Sequence, residues 1–210
     1  MKKLIDFVSD LLSPEQQQLL KELNEYLTTE SGAWALGNEH LDLIAHLLSG
    51  GDGKFAPNVP LLVIEVLQAA ALKDDFVLIL HQDRKEHQLM SYINKIENLT
   101  LAEQEEIAKL MCNLCSQPST FDWLLYISEW IEDGMPTNNA RVTTRAAVHT
   151  VLNDKLTTLQ KTGCSLIFNI ALKELFDDTA TELATAVLQF LHSDLQEEQG
   201  LFVKVEIRNL

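Results

Sequence analysis

Three stretches of this chain, IAKLMCNLC, SLIFNIAL and VEIRNL, carry an asparagine near the same point of an apolar, helix-spaced stripe. These are Asn113, Asn169 and Asn209, and Asn153 stands in a similar setting in AVHTVLND. The steps from Asn113 to Asn153 and from Asn169 to Asn209 are both 40 residues. A period of that length in a helical pattern constrains the chain to stacked helical units, each burying its apolar face against the next.

Helix start and stop signals recur along the whole sequence. Ser13-Pro14-Glu15-Gln16 and Thr100-Leu101-Ala102-Glu103 are capping boxes, the first with proline at the favoured opening position. The helix after Ser13 sets Leu19, Leu20, Leu23 and Leu27 on one face. A third helix over 41–48 ends in Ser49-Gly50-Gly51-Asp52-Gly53, the clearest flexible loop. Residues 61–72, opened by Pro60, are too apolar all round for a surface helix and are placed centrally. DFVLILHQ (75–82) has strand-like composition but reads as a short buried helix between two others. Helices are expected at 86–97, 101–116, 120–132, 140–153, 155–175, 179–193 and 196–210. Glu132-Asp133-Gly134-Met135-Pro136 breaks the pattern, and Asn138 or Asn139 caps the next helix. No convincing alternation of period two stands out. The fold class is therefore all-α: an α-solenoid of armadillo- or HEAT-like repeats, roughly a dozen helices in a single domain over 1–210. Leu210 falls inside an apolar helical rhythm, which reads as a module of a longer protein.

A formal net charge of −15 argues against generic nucleic-acid binding or attachment to an anionic membrane, both of which need a basic surface. Three cysteines, Cys112, Cys115 and Cys164, and an N-terminus interrupted by Asp6 and Asp10 fit reduced thiols in the cytoplasm or nucleus. Cys112-x-x-Cys115 falls late in a helix rather than at a strand-to-helix turn, so two core thiols are favoured over a redox or zinc site. The six histidines are scattered, and no phosphate loop, dinucleotide turn or nucleophile elbow is present. The chain is not expected to be an enzyme or to need a metal or cofactor.

Basic residues are less even. Arg141, Arg145, Lys155 and Lys161 are opposed only by Asp154 in their stretch. Stacked inner helices would bring Lys109 near them, forming a groove that attracts acidic peptides. The alternative is an ordinary solvated face. The asparagines admit two readings as well: they mark helix C-termini, or their amides hold the backbone of an extended peptide through paired donor and acceptor.

In chain order, several segments resemble the PUL domain, the armadillo-like C-terminal module of phospholipase-activating protein and its fungal relatives. LLKELNEYL, VIEVLQAA after Pro60, SYINKIEN, IAKLMCNLC, TGCSLIFNIAL and EEQGLFVKVEIRNL are each similar to a family helix, over about 14–210. The stretch between Asn113 and Asn169 is longer than the family pattern by about one helix. The resemblance implies a peptide-binding adaptor of the ubiquitin pathway, contacting the acidic C-terminal tail of the AAA-ATPase segregase. It sets Asn113 and Asn169 on family asparagines. Lys109 stands where the family has arginine, losing the bidentate fork, and Gln68 replaces a second arginine. Arg145 in TTRAAVH substitutes if the extra helix shifts the register, with His149 at the asparagine position. The peptide-binding set is thus Lys109, Asn113, Arg141, Arg145, Lys161 and Asn169. A structural module mediating oligomerisation through its apolar C-terminal helix is the alternative.

Overall fold

The computed structural model describes residues 1–29, 36–155 and 157–193, which divide into two compact units, residues 1–92 and 93–210. The described residues are mostly helical, with eleven α-helices and one two-stranded sheet.

The first unit contains α1 (Lys2–Val8), α2 (Pro14–Thr28), α3 (Asn38–Leu48), α4 (Val59–Ala70) and α5 (Val77–Glu86), and then α6 (Gln88–Ile93), which runs to the unit boundary. Its hub is α3, which packs on α2, α4 and α5 and buries Leu41, Leu43, Ile44, Leu47 and Leu48. The α2 box forms as expected: Ser13 Oγ accepts the Gln16 amide and Gln16 returns to the Ser13 N–H. At α3 a histidine takes the place of the usual glutamate. His40 Nδ1 accepts the Gly37 N–H at 3.1 Å while Nε2 lies 3.1 Å from Glu22 of α2. That geometry requires the proton on Nε2 and joins two helices through one ring. The segment expected to be central is α4, with Val59, Leu62, Val63, Ile64, Val66, Leu67 and Ala70 buried and Glu65 exposed. DFVLILHQ is helical, within and just before α5.

The loop after α3 is folded tightly on itself. Gly50 to Gly53 all have positive φ, and Lys54 and Phe55 donate back to Gly51 and Gly50. A Cβ on Gly51 would lie 2.4 Å from the Phe55 ring, so only glycine fits. Between α5 and α6 the chain turns through His87 at φ 53°. Asp83 is fully buried there, its Oδ1 accepting the Leu89 N–H at 2.8 Å.

The second unit holds the 3-10 turn Ile96–Asn98, α7 (Leu101–Leu114), α8 (Pro118–Leu124), strands β1 (Trp130–Glu132) and β2 (Met135–Thr137), α9 (Asn139–Val151), α10 (Thr157–Ala171) and α11 (Asp177–His192). Here α10 packs on α7 and α9, and α9 also packs on α11 and α8. Asn138 is the α9 cap, taking the Arg141 N–H at 2.9 Å. Buried side chains of α9 close the end of α8: Asn139 Nδ2 donates to the Trp123 carbonyl and Thr143 Oγ1 to that of Leu124. The α7 box forms through Thr100 and Glu103.

The helix expected over 120–132 is corrected. The helix stops at Leu124, and 130–137 form an antiparallel hairpin pairing Trp130 with Thr137 and Glu132 with Met135. Asp133 and Gly134, at φ 50° and 79°, give the two left-handed residues that a tight hairpin turn demands. The Asp-Gly pair was the sequence signal for it. The expected helix over 86–97 is likewise shorter, ending at Ile93, with a separate 3-10 turn beyond it. The helix expected at 196–210 lies outside the described residues.

Helices α9 and α10 meet at glycine. A Cβ on Gly163 would lie 2.7 Å from the Val151 nitrogen and 2.9 Å from the Thr150 carbonyl carbon, and backbone cannot yield as a side chain does. Gly163→Ala should lower stability, because overpacking of about 1–3 kcal/mol outweighs the roughly 1 kcal/mol that alanine gains in a helix interior. Urea unfolding of the two proteins checks this, and a stabilised variant would contradict the close approach. Asp83 supplies a pH test. Burial raises its carboxyl to about 6, against the opposing effect of the backbone N–H bonds it accepts. The folded chain therefore holds this proton more tightly than the unfolded one. Its contribution falls as pH rises from about 4 to about 6, by about 3 kcal/mol. Stability profiles of wild type and Asp83→Asn should diverge across that window, and parallel profiles would refute it.

Candidate functional site

The second unit contains a groove of about 570 Å³. One wall is formed by α9 and the residues just past it, where four-residue steps set the exposed Arg145 and the half-buried His149 and Asn153 in line, with Val148 and Leu152 between them. Asp154 and Lys155 continue that wall past the helix end, Glu97 enters from the 3-10 turn, and Glu182 comes from α11.

A buried glutamine organises the wall. Gln104 of α7 donates through Nε2 to the Leu99 carbonyl at 2.9 Å, which fixes its amide with the oxygen toward α9. That oxygen meets His149 Nε2 at 3.0 Å and accepts from Asn153 Nδ2 at 3.1 Å. An amide oxygen only accepts, so His149 carries its proton on Nε2 and keeps Nδ1 as an acceptor. Burial disfavours the imidazolium and Lys155 adds to this, while Glu97 opposes it; the net effect is a pKa below the ordinary histidine value. Asn153 Oδ1 also takes the Lys155 N–H at 3.1 Å, which sets the direction of the chain leaving α9. Arg145 Nη1 donates to the neutral amide of Asn94 at 2.7 Å.

Of the six residues expected to form the site, Arg145 lines this groove. The others are placed differently. Lys109 is held by Glu105 at 2.9 Å and Glu106 at 2.7 Å on its own helix, bonds that raise its pKa. Arg141 is exposed and ties the hairpin region down, reaching Glu129 at 3.3 Å and the Pro136 carbonyl at 3.2 Å. Lys161 is half-buried on α10. Asn113 and Asn169 are half-buried near the ends of α7 and α10, where their carbonyls accept the amides of Ser116 and Leu172. Both stand in helical backbone, without the left-handed geometry of an asparagine cap. Asn153, which shares the 40-residue step, is the asparagine at the groove, and Asn209 lies outside the described residues.

Gln104 was not anticipated. Its signal was a polar residue at the first position of the stripe Gln104, Ile107, Ala108, Met111, all buried. The cysteines are half-buried: burial pushes the Cys112 and Cys115 thiols up to about 12, and Cys112 Sγ sits 3.7 Å from the Thr162 carbonyl. Protonated thiols of this kind are poor nucleophiles.

Comparison with protein-family models, with curated proteins and with solved structures finds no match to the chain.

Proposed function

We propose that the chain is a protein-binding scaffold that takes an extended peptide in the groove of its second unit. The observation that carries this reading is the ordered polar wall of α9, where Gln104 holds His149 and Asn153 beside Arg145 and Lys155. Arg145 and Lys155 suit acidic side chains of a guest, and the imidazole and amide suit peptide N–H and C=O groups. An armadillo-like stacking of helix pairs is part of the proposal, supported by the 40-residue steps in the sequence. So is PUL-type kinship, which makes the acidic tail of the AAA-ATPase segregase, and a role in ubiquitin-dependent turnover in the cytoplasm or nucleus, the first partner to test. Of the expected set Arg145 is kept, Lys109, Asn113, Arg141, Lys161 and Asn169 leave the proposed site, and His149, Asn153 and Lys155 join it.

A second reading, contact with another helix or a second copy of the chain, is favoured by one surface. Phe176, Ala180, Ala184 and Leu188 form an exposed ridge of four-residue steps along α11, extended by Leu191. The neighbouring stripe Leu183, Ala186, Phe190 is the buried one.

Two measurements separate the readings. Titration with acidic tail peptides should show Arg145→Glu plus Lys155→Glu weakening binding at least about tenfold, the scale of one or two lost charge-assisted bonds. Lys109→Glu should change it little, because Lys109 already lies between two glutamates; the reverse ranking would sink the groove. Light scattering tests the ridge. A dimer that dissociates on Leu188→Lys supports the second reading, and a monomer unchanged by that substitution removes self-association.

A further inference from the structure

Charge balance in the groove poses a problem that His149 answers. At neutral pH Arg145 and Lys155 face three carboxylates, Glu97, Asp154 and Glu182. An acidic guest entering that setting meets more negative than positive charge. From α7, packed behind the wall, the uncharged amide of Gln104 fixes the imidazole without neutralising it, and the charges acting on the ring are those of Glu97 and Lys155. One proton on the ring brings cations and carboxylates level, and Nδ1 is the atom able to take it, since Nε2 is already committed to Gln104.

We propose that the groove takes an acidic peptide segment together with a proton at His149, so that the imidazolium becomes a third cation of the site. The inference rests on the peptide-binding function proposed for this groove and adds its guest chemistry and its regulation. In the unoccupied groove, burial and Lys155 hold the ring neutral against the pull of Glu97. A guest carboxylate beside the ring reverses that balance, because an opposite charge within a few ångströms favours the charged form. Coupling of this kind is reciprocal: the guest raises the proton affinity of His149, and the proton raises the affinity for the guest by the same factor. The Gln104 anchor survives protonation, since Nε2–H donates to the amide oxygen in either state.

The test uses the full chain and an N-acetylated octapeptide of alternating Glu and Gly. Its side chains stay ionised above pH 6, so changes between pH 6.0 and 7.5 belong to the protein. Binding should be about threefold to tenfold tighter at pH 6.0 than at 7.5. Calorimetry in two buffers of different ionisation heat should show net proton uptake. His149→Gln, which keeps a donor for Gln104, should bind with an affinity that does not change across this range. Independently of any variant, the NMR titration midpoint of the His149 ring should move up on saturation with peptide. Binding to wild type that is independent of pH, with an unmoved midpoint, overturns the proton coupling and leaves the groove reading standing. Absence of binding at every pH, or binding indifferent to Arg145→Glu plus Lys155→Glu, overturns both.

Discussion

The second unit depends on a close approach between helices. With Gly163 in α10, the backbone of that helix comes to within van der Waals contact of Thr150 and Val151 at the end of α9. Helix α10 also packs on α7, so this approach fixes how far α7 stands from α9. At that separation Gln104 of α7 reaches His149 of α9, and Asn153 just past its end, at hydrogen-bond length. A bulkier residue at 163 would push α9 outward by tenths of an ångström, and hydrogen bonds near 3.0 Å are sensitive to such changes. The polar wall is thus a consequence of apolar packing behind it.

Local signals in the sequence proved legible where one or two residues decide the geometry. The two capping boxes and the Asn138 cap depend on side chains bonding backbone three positions away, and they form as expected. The composition of 75–82 looked like a strand, yet length and context favoured a helix, and Val77–Glu86 is one. The hairpin at 130–137 escaped because its strands are three residues each, too short for alternation to show. Asp133-Gly134 carried the information instead, through the left-handed turn it permits.

The site was legible only in part, and the asparagines show why. Asn113 and Asn169 stand in the last turn of their helices and Asn153 just past the end of α9, none of them in left-handed backbone, so the spacing follows helix length and not a cap. It does not record which helix end faces a groove. Asn113 and Asn169 occupy helix ends whose carbonyls close local turns, whereas Asn153 is met by a glutamine 49 residues earlier in the chain. Spacing along one helix could not reveal that partner. Tertiary contact decides it, and the only trace in the sequence is a polar residue inside the apolar stripe of α7.

The basic residues teach the same lesson in electrostatic terms. In a chain of net charge −15 a cation is surrounded by candidate partners, and the nearest lie on its own helix turn. Lys109 has glutamates three and four residues before it and is held by both. Arg141 finds Glu129 across the hairpin region. Arg145 instead meets the neutral Asn94, so its charge remains available to whatever enters the groove. At physiological ionic strength charges are screened beyond about 8 Å, so the acidic surface opposes an acidic guest mainly at close range. Within the groove the sign is set by a few groups, and by whether one imidazole is protonated. For the guest we propose, such a groove would discriminate by local charge arrangement and hydrogen-bond geometry, with little help from long-range attraction.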